Sequence, residues 1–175
     1  MGKQQLKAYL HNLDKEEIID QVITLYTTSK EVKKYYDFLL KPDLEKVADE
    51  WKVKISKEYF PAHGKRRKAR RSVGQRAARE LEFLGVTADV IADVRLYAIE
   101  IAVLYAIEMY RHDVAFFKSF EQQYVKLIDY LQEHGMLSDF KVRCRELKDK
   151  VVSAGWSNAE KFEQKYVTTY MNKQS

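Results

Sequence analysis

Apolar residues recur along nearly the whole chain at steps of three and four, the spacing that lines them up on one side of an α-helix. Leu6, Tyr9, Leu10 and Leu13 open the pattern. Asp14, with Glu17 three residues on, reads as an N-cap with its capping-box partner and starts a second helix striped by Ile18, Ile19, Val22, Ile23 and Tyr26. Thr27, Thr28 and Ser29 interrupt that stripe, and Val32, Tyr35, Tyr36 and Leu39 resume it. So short a connection predicts an antiparallel hairpin of two helices. Lys41-Pro42-Asp43 is a stop and restart, because the residue before a proline is pushed out of helical geometry and Pro42 or Asp43 suits the opening of a helix. Val47, Trp51, Ile55 and Tyr59 then follow at four-residue steps. That spacing makes Trp51 and Tyr59 core anchors rather than stacking platforms. Phe60-Pro61 ends the helix.

The next stretch, from Ala62 to Ser72, admits two registers. Ser72 with Gln75 three on predicts a capping box, which makes Lys65 to Arg71 an extended approach to a helix beginning near Val73. Alternatively the run is already helical, since Lys, Arg and Ala are good helix formers. In either register Val73, Ala77, Leu81 and Leu84 form the buried stripe. The first register also predicts an anion site at the helix N-terminus, with Gly74 letting an anion come close to the backbone.

Beyond it, Gly85 caps one helix and Thr87 starts another. That helix is apolar almost all round, from Val90, Ile91 and Val94 to Leu104, Tyr105 and Ile107, which predicts a place in the middle of the domain. His112-Asp113 marks its end. Phe116 to Leu131 stripes a helix closed by Gly135, and Leu137, Phe140, Cys144, Leu147 and Val151 one closed by Gly155. Trp156-Ser157-Asn158 then caps a last helix carrying Phe162, Tyr166 and Tyr170. The expectation is an all-α protein of about eight helices in successive antiparallel hairpins, a compact bundle or a short superhelical stack. No stretch calls for a strand.

The 175 residues suit a single helical domain, residues 1–175, able to bury roughly two-thirds of the surface its unfolded chain would expose. With 46% hydrophobic and 33% charged residues but only six Gly and two Pro, the composition excludes a disordered or loop-rich chain. One cysteine, Cys144, closes no internal disulfide, which suits a reducing cytoplasm. The most apolar run, Leu96 to Tyr110, contains Glu100 and Glu108 and falls short of the roughly 20 residues of a membrane span, so no membrane is expected.

Charge changes the picture at one place. Lys65, Arg66, Arg67, Lys68, Arg70, Arg71, Arg76 and Arg79 follow one another with no acidic residue between Tyr59 and Arg79. Removing these eight from the 31 basic residues leaves 23 against 26 acidic ones, so the remainder is at −3 while the whole chain is at +5. A cluster of like charges repels itself unless an anion or a set of carboxylates lies against it. Glu80 and Glu82, or Asp43, Glu45 and Asp49, are the carboxylates that could serve. The composition places the one candidate boundary of the chain in this stretch.

Four segments, LHNLDKEEIIDQVITLY, YFPAHGKRRKARRSV with the REL and EFL that follow it, ADVIADVRLYAIE and FKVRCRELKDKVVSAGW, together resemble an uncharacterised family of small bacterial helical proteins, described only as a domain of unknown function. The resemblance covers nearly the whole chain. It implies a bacterial, cytosolic, all-helical domain, and no activity, cofactor or catalytic residue.

The functional expectation therefore rests on the residues. The first reading is a non-enzymatic interaction domain, without cofactor or metal, that holds an acidic protein or nucleic acid on the eight cations from Lys65 to Arg79, with Arg66, Arg67, Arg70 and Arg71 as main contacts. The aromatic neighbours Tyr59 and Phe60 stand at one end only, which argues against a stacking platform for single strands. The alternative is a metal-dependent hydrolase. His112-Asp113 is similar to the His-Asp pair of helical metal-dependent phosphohydrolases, with His63 and Asp129 available as the further ligands, and Glu108 and His112 are spaced to share a helix face. Cys144, flanked by Arg143 and Arg145, falls in helical phase with Phe140, Leu147 and Val151, and reads as a buried structural thiol rather than a reactive one.

Overall fold

A computed structural model of the chain describes residues 2–63 and 65–171. Among the described residues it holds nine helices and no strand: α1 (Lys3–His11), α2 (Lys15–Thr28), α3 (Lys30–Leu40), α4 (Leu44–Tyr59), α5 (Val73–Phe83), α6 (Ala88–Glu108), α7 (Val114–Glu133), α8 (Leu137–Ser153) and α9 (Ala159–Tyr170). They fall into two compact units, Met1–Asp43 and Leu44–Ser175. The boundary lies beside Lys41-Pro42-Asp43, and the basic stretch, where composition suggests a boundary, lies inside the second unit.

In the first unit the predicted capping box of α2 is formed. The Glu17 amide donates to Asp14 Oδ1 at 2.8 Å and the Asp14 amide to Glu17 Oε2 at 2.9 Å. Ser29 ends α2 and caps α3, accepting from the Val32 amide. The two helices pack against each other as the short connection predicts, and the Tyr26 hydroxyl donates to Asp37 across them at 2.6 Å. No side chain of α1, α2 or α3 is buried. Leu6, Tyr9, Ile19, Ile23 and Leu39, all on predicted core stripes, stand exposed. A pair of helices encloses nothing between its two stripes, so each stripe is covered on one side at most.

In the second unit α6 is the hub, packed against α4, α5, α7 and α8, with α9 closing over α7 and α8. That is the position its all-round apolar character predicts. Val47, Trp51, Ile55 and Tyr59 of α4 are all buried. Aromatic side chains fill the other side: Phe117 stacks on Trp156 at 4.3 Å, and Tyr124 lies 4.9 Å from Phe162. Cys144 is fully buried, and burial pushes its thiol up to about 11, which makes it an inert core residue. Between α4, α6 and α8 runs a half-buried ion network in which Lys52 and Arg143 both hold Asp93, and Arg143 also grips Glu100 in a two-pronged contact. Burial opposes ionisation of Asp93, but the hydrogen bonds from Lys52 and Arg143 outweigh it and hold the carboxyl below the usual range.

Three helix ends follow the predicted glycine stop. Gly85, Gly135 and Gly155 have φ of 73°, 71° and 66°, and the amide that follows each reaches back to Leu81, Leu131 and Val151. A fourth end uses the same left-handed turn without glycine. Tyr110 has φ 48°, and the Arg111 amide returns to the Ala106 carbonyl at 2.9 Å. The turn ends α6 at Glu108, so His112 lies beyond the helix and shares no face with Glu108. No helix among the described residues is long and apolar enough to cross a membrane.

Candidate functional site

The basic stretch takes the extended register. Residues 65–70 are not helical, a turn follows at Arg71 and Ser72, and α5 begins at Val73. The predicted capping box is not formed. Ser72 has helical dihedrals, and its side chain accepts no capping hydrogen bond. Gly74 does not admit an anion either. It is buried, and a Cβ built on it meets the Ala98 Cβ of α6 at 2.6 Å, so the missing side chain serves the close approach of two helices.

What holds the stretch is Glu58, in the last turn of α4 and only 7% exposed. Its carbonyl accepts from the Lys68 and Ala69 amides at 3.2 and 3.0 Å. Its carboxylate accepts from the Arg70 amide at 3.1 Å and from Arg70 Nε and Nη2 at 2.8 and 2.9 Å. Ala69, at φ 47°, lets consecutive amides converge on one residue. The hydrogen bonds from the Arg70 side chain outweigh burial and hold the Glu58 carboxyl below the usual range. Three further contacts fasten the segment: Tyr59 Oη to the Arg70 carbonyl at 3.4 Å, Arg67 Nη1 to Met109 Sδ at 3.1 Å, and Arg71 Nη1 to the Ala115 carbonyl at 2.7 Å.

All eight predicted cations are exposed, but they do not share one face. Arg67, Arg70 and Arg71 are engaged within the chain, as just described. Lys65, Arg66, Lys68, Arg70 and Arg76 line one cleft of about 840 Å³ together with Trp51, Lys54, Lys57 and Glu58. Arg79 faces a different cleft, beside Arg95 and Lys126. Within the larger cleft Glu58 and Arg70 neutralise each other. Lys54, Lys57, Lys65, Arg66, Lys68 and Arg76 remain, and none of these six has an ion pair among the described residues. Glu82, a predicted partner of the basic run, is instead paired with Arg95.

Lys54 and Lys57 are absent from the set read off the sequence. They stand three apart on α4, on the same side as Trp51 and Glu58, and that spacing is the signal that would have found them. Glu58 had no such signal, since it lies 12 residues from Arg70. Trp51 lines the cleft but is buried, and its indole Nε1 has no hydrogen-bond partner among the described residues. The residue is 8% exposed and one face of its ring is covered by Lys54 Nζ at 4.5 Å from the centroid, so little of it is open to a stacking base.

Asp113, half of the His-Asp pair, caps α7 through the Phe116 amide at 3.1 Å and pairs with Arg111 at 3.0 Å. The capping amide, opposed by burial, and the Arg111 contact together hold its carboxyl below the usual range. No group of three or more His, Cys, Asp or Glu that would hold a metal occurs among the described residues.

Fold and site together define an all-helical protein with a cleft in its second unit lined mainly by lysine and arginine. The chain belongs to a family of unknown function, DUF6155, whose family model matches residues 1–169. No curated protein and no solved structure matches it.

Proposed function

We propose that this protein is a helical interaction domain that binds an acidic macromolecule on the cleft between the end of α4 and the basic stretch. The observation that carries this reading is the set of six cations, Lys54, Lys57, Lys65, Arg66, Lys68 and Arg76, converging on one cleft with no ion pair among the described residues. Charges so close repel one another, and a partner that brings anions relieves that repulsion. Four of the six are lysines, compact point charges that pair with phosphate and carboxylate alike. A nucleic acid backbone, with a phosphate at every nucleotide, brings enough anions to engage all six cations and is the partner tested first. With Trp51 covered, contacts are to phosphate and carry little sequence preference.

The test is fluorescence anisotropy with mixed-sequence nucleic acid across a salt series. With all six cations engaged, log K falls against log salt with a slope of about −5. A variant with Lys54, Lys57, Lys65 and Arg66 changed to Gln loses most of that slope and keeps its thermal unfolding midpoint. Absence of binding by the wild type at low salt sinks the nucleic-acid reading. Binding to polyglutamate under the same conditions transfers the cleft to an acidic protein.

A further inference from the structure

A second cleft, of about 310 Å³, opens between α5, α6 and α7. It shares no lining residue with the basic cleft. Its floor is apolar and closed: Ile99, Leu127 and Ala78 are buried, and the Gly74 backbone lies tight against α6. Its rim is polar, with Arg79, Arg95 and Lys126 against the single carboxylate of Glu82, and with Gln75 and Gln123.

Two of these polar groups are held in position before any ligand arrives. The Arg95 guanidinium is paired with Glu82 and lies over the Tyr130 ring, 4.2 Å from its centroid. It has five N–H donors, so most remain to be used. The Gln123 amide nitrogen is committed to the Arg71 carbonyl, the Ser119 carbonyl and Ser119 Oγ at 3.3, 3.3 and 3.4 Å. Its carbonyl oxygen lies 3.8 Å from the place of a Gly74 Cβ and accepts no hydrogen bond among the described residues. Arg79 and Lys126 have no ion pair among the described residues. The cleft thus offers an apolar floor, one positioned guanidinium, one positioned acceptor and two unpaired cations, at the small end of the roughly 300–1,000 Å³ range of small-molecule sites.

We infer that this cleft binds a small organic anion: a body of about one ring seated on Ala78, Ile99 and Leu127, and a phosphate or carboxylate head held by Arg79, Arg95 and Lys126. The floor supplies affinity through the apolar area it covers, and the rim fixes orientation through charge. Neither half suffices, because the head alone is well solvated at an open rim and the ring alone leaves the cations unused.

The experiment is a side-chain NMR titration of the full chain with phenyl phosphate, benzoate, phenol and inorganic phosphate as probes. Phenyl phosphate or benzoate is expected to shift the Gln123 side-chain amide and the Ile99 and Leu127 methyl signals saturably. Phenol and inorganic phosphate are expected to bind roughly tenfold more weakly than the better of the two. Whichever of phenyl phosphate and benzoate binds more tightly identifies the head group. Arg79→Gln with Lys126→Gln, both exposed and fold-neutral, weakens the anionic probe about fivefold and leaves phenol unchanged. No saturable shift at these residues by about 20 mM of either anionic probe overturns the assignment. So does equal binding of inorganic phosphate, or shifts confined to Lys65 and Arg66.

Discussion

The two units carry the same helical periodicity and reach opposite outcomes. Residues 2–43 form three helices whose apolar stripes bury no side chain, whereas residues 44–171 form six helices that close completely over Ile55, Tyr124 and Phe162. The stripes alone do not distinguish them. What differs is the hub. A helix that is apolar all round, α6, gives four others something to pack against, while α2 and α3 meet along one seam only. Periodicity announces that a face wants covering; the number of neighbouring elements decides whether it is covered.

The sharpest way to break this comparison is amide hydrogen exchange. Amides of α6 are expected to open only with global unfolding, at roughly 5–15 kcal/mol. Those of α1, α2 and α3 are expected to open at a small fraction of that. Similar protection in α2 and α6 would remove the distinction. Next in size is a pair of truncations read by urea unfolding. Phe162→Ala, at a position with 0% exposure, costs about 3–5 kcal/mol. Ile23→Ala, at 56% exposure on a stripe that looks equivalent in sequence, stays within about 0.5 kcal/mol.

A third prediction concerns close packing. Gly74→Ala forces the α5 and α6 backbones apart at Ala98 and costs about 1–3 kcal/mol, while Gly2, where a Cβ meets nothing within 4 Å, accepts the same change at about 1 kcal/mol or less.

The fourth compares two carboxylates. Glu58→Gln weakens the latch on the basic stretch and costs about 2 kcal/mol, whereas Asp37→Asn, whose partner Tyr26 is solvent-accessible, changes little. The sign with pH follows. The folded Glu58 carboxyl lies below its ordinary value of 4.5, so its contribution is fully present above that pH and disappears as pH falls through the lower folded value. The Gln variant should lose that part of the acid sensitivity.

The smallest effect is a gain. Tyr110→Gly relieves a left-handed turn and raises stability by about 1 kcal/mol, as seen in the unfolding midpoint.

These contrasts also mark where the sequence was legible. The Asp14–Glu17 cap, the glycine stops at Gly85, Gly135 and Gly155, and the α4 stripe depend on neighbours within five residues, and each is where the pattern predicts it. Tyr110 makes the same stop with no glycine to announce it. The Ser72 cap failed because the segment before it is committed to Glu58, 14 residues earlier, a partner chosen by the fold. The eight cations were legible as a run. Their dispersal was not: five line the larger cleft, Arg79 leaves α5 towards another, Arg67 and Arg71 line neither, and Lys54 and Lys57 come from another helix altogether.

The Glu58 latch has a kinetic meaning. A basic segment free in solution must be ordered each time it meets a partner, and that ordering slows capture or weakens it. Here α4 holds the non-helical segment in place, with one residue fastening three successive amides. On the proposed function, capture is then a collision between preformed shapes, its rate set by long-range attraction and ionic strength and not by the folding of a loop.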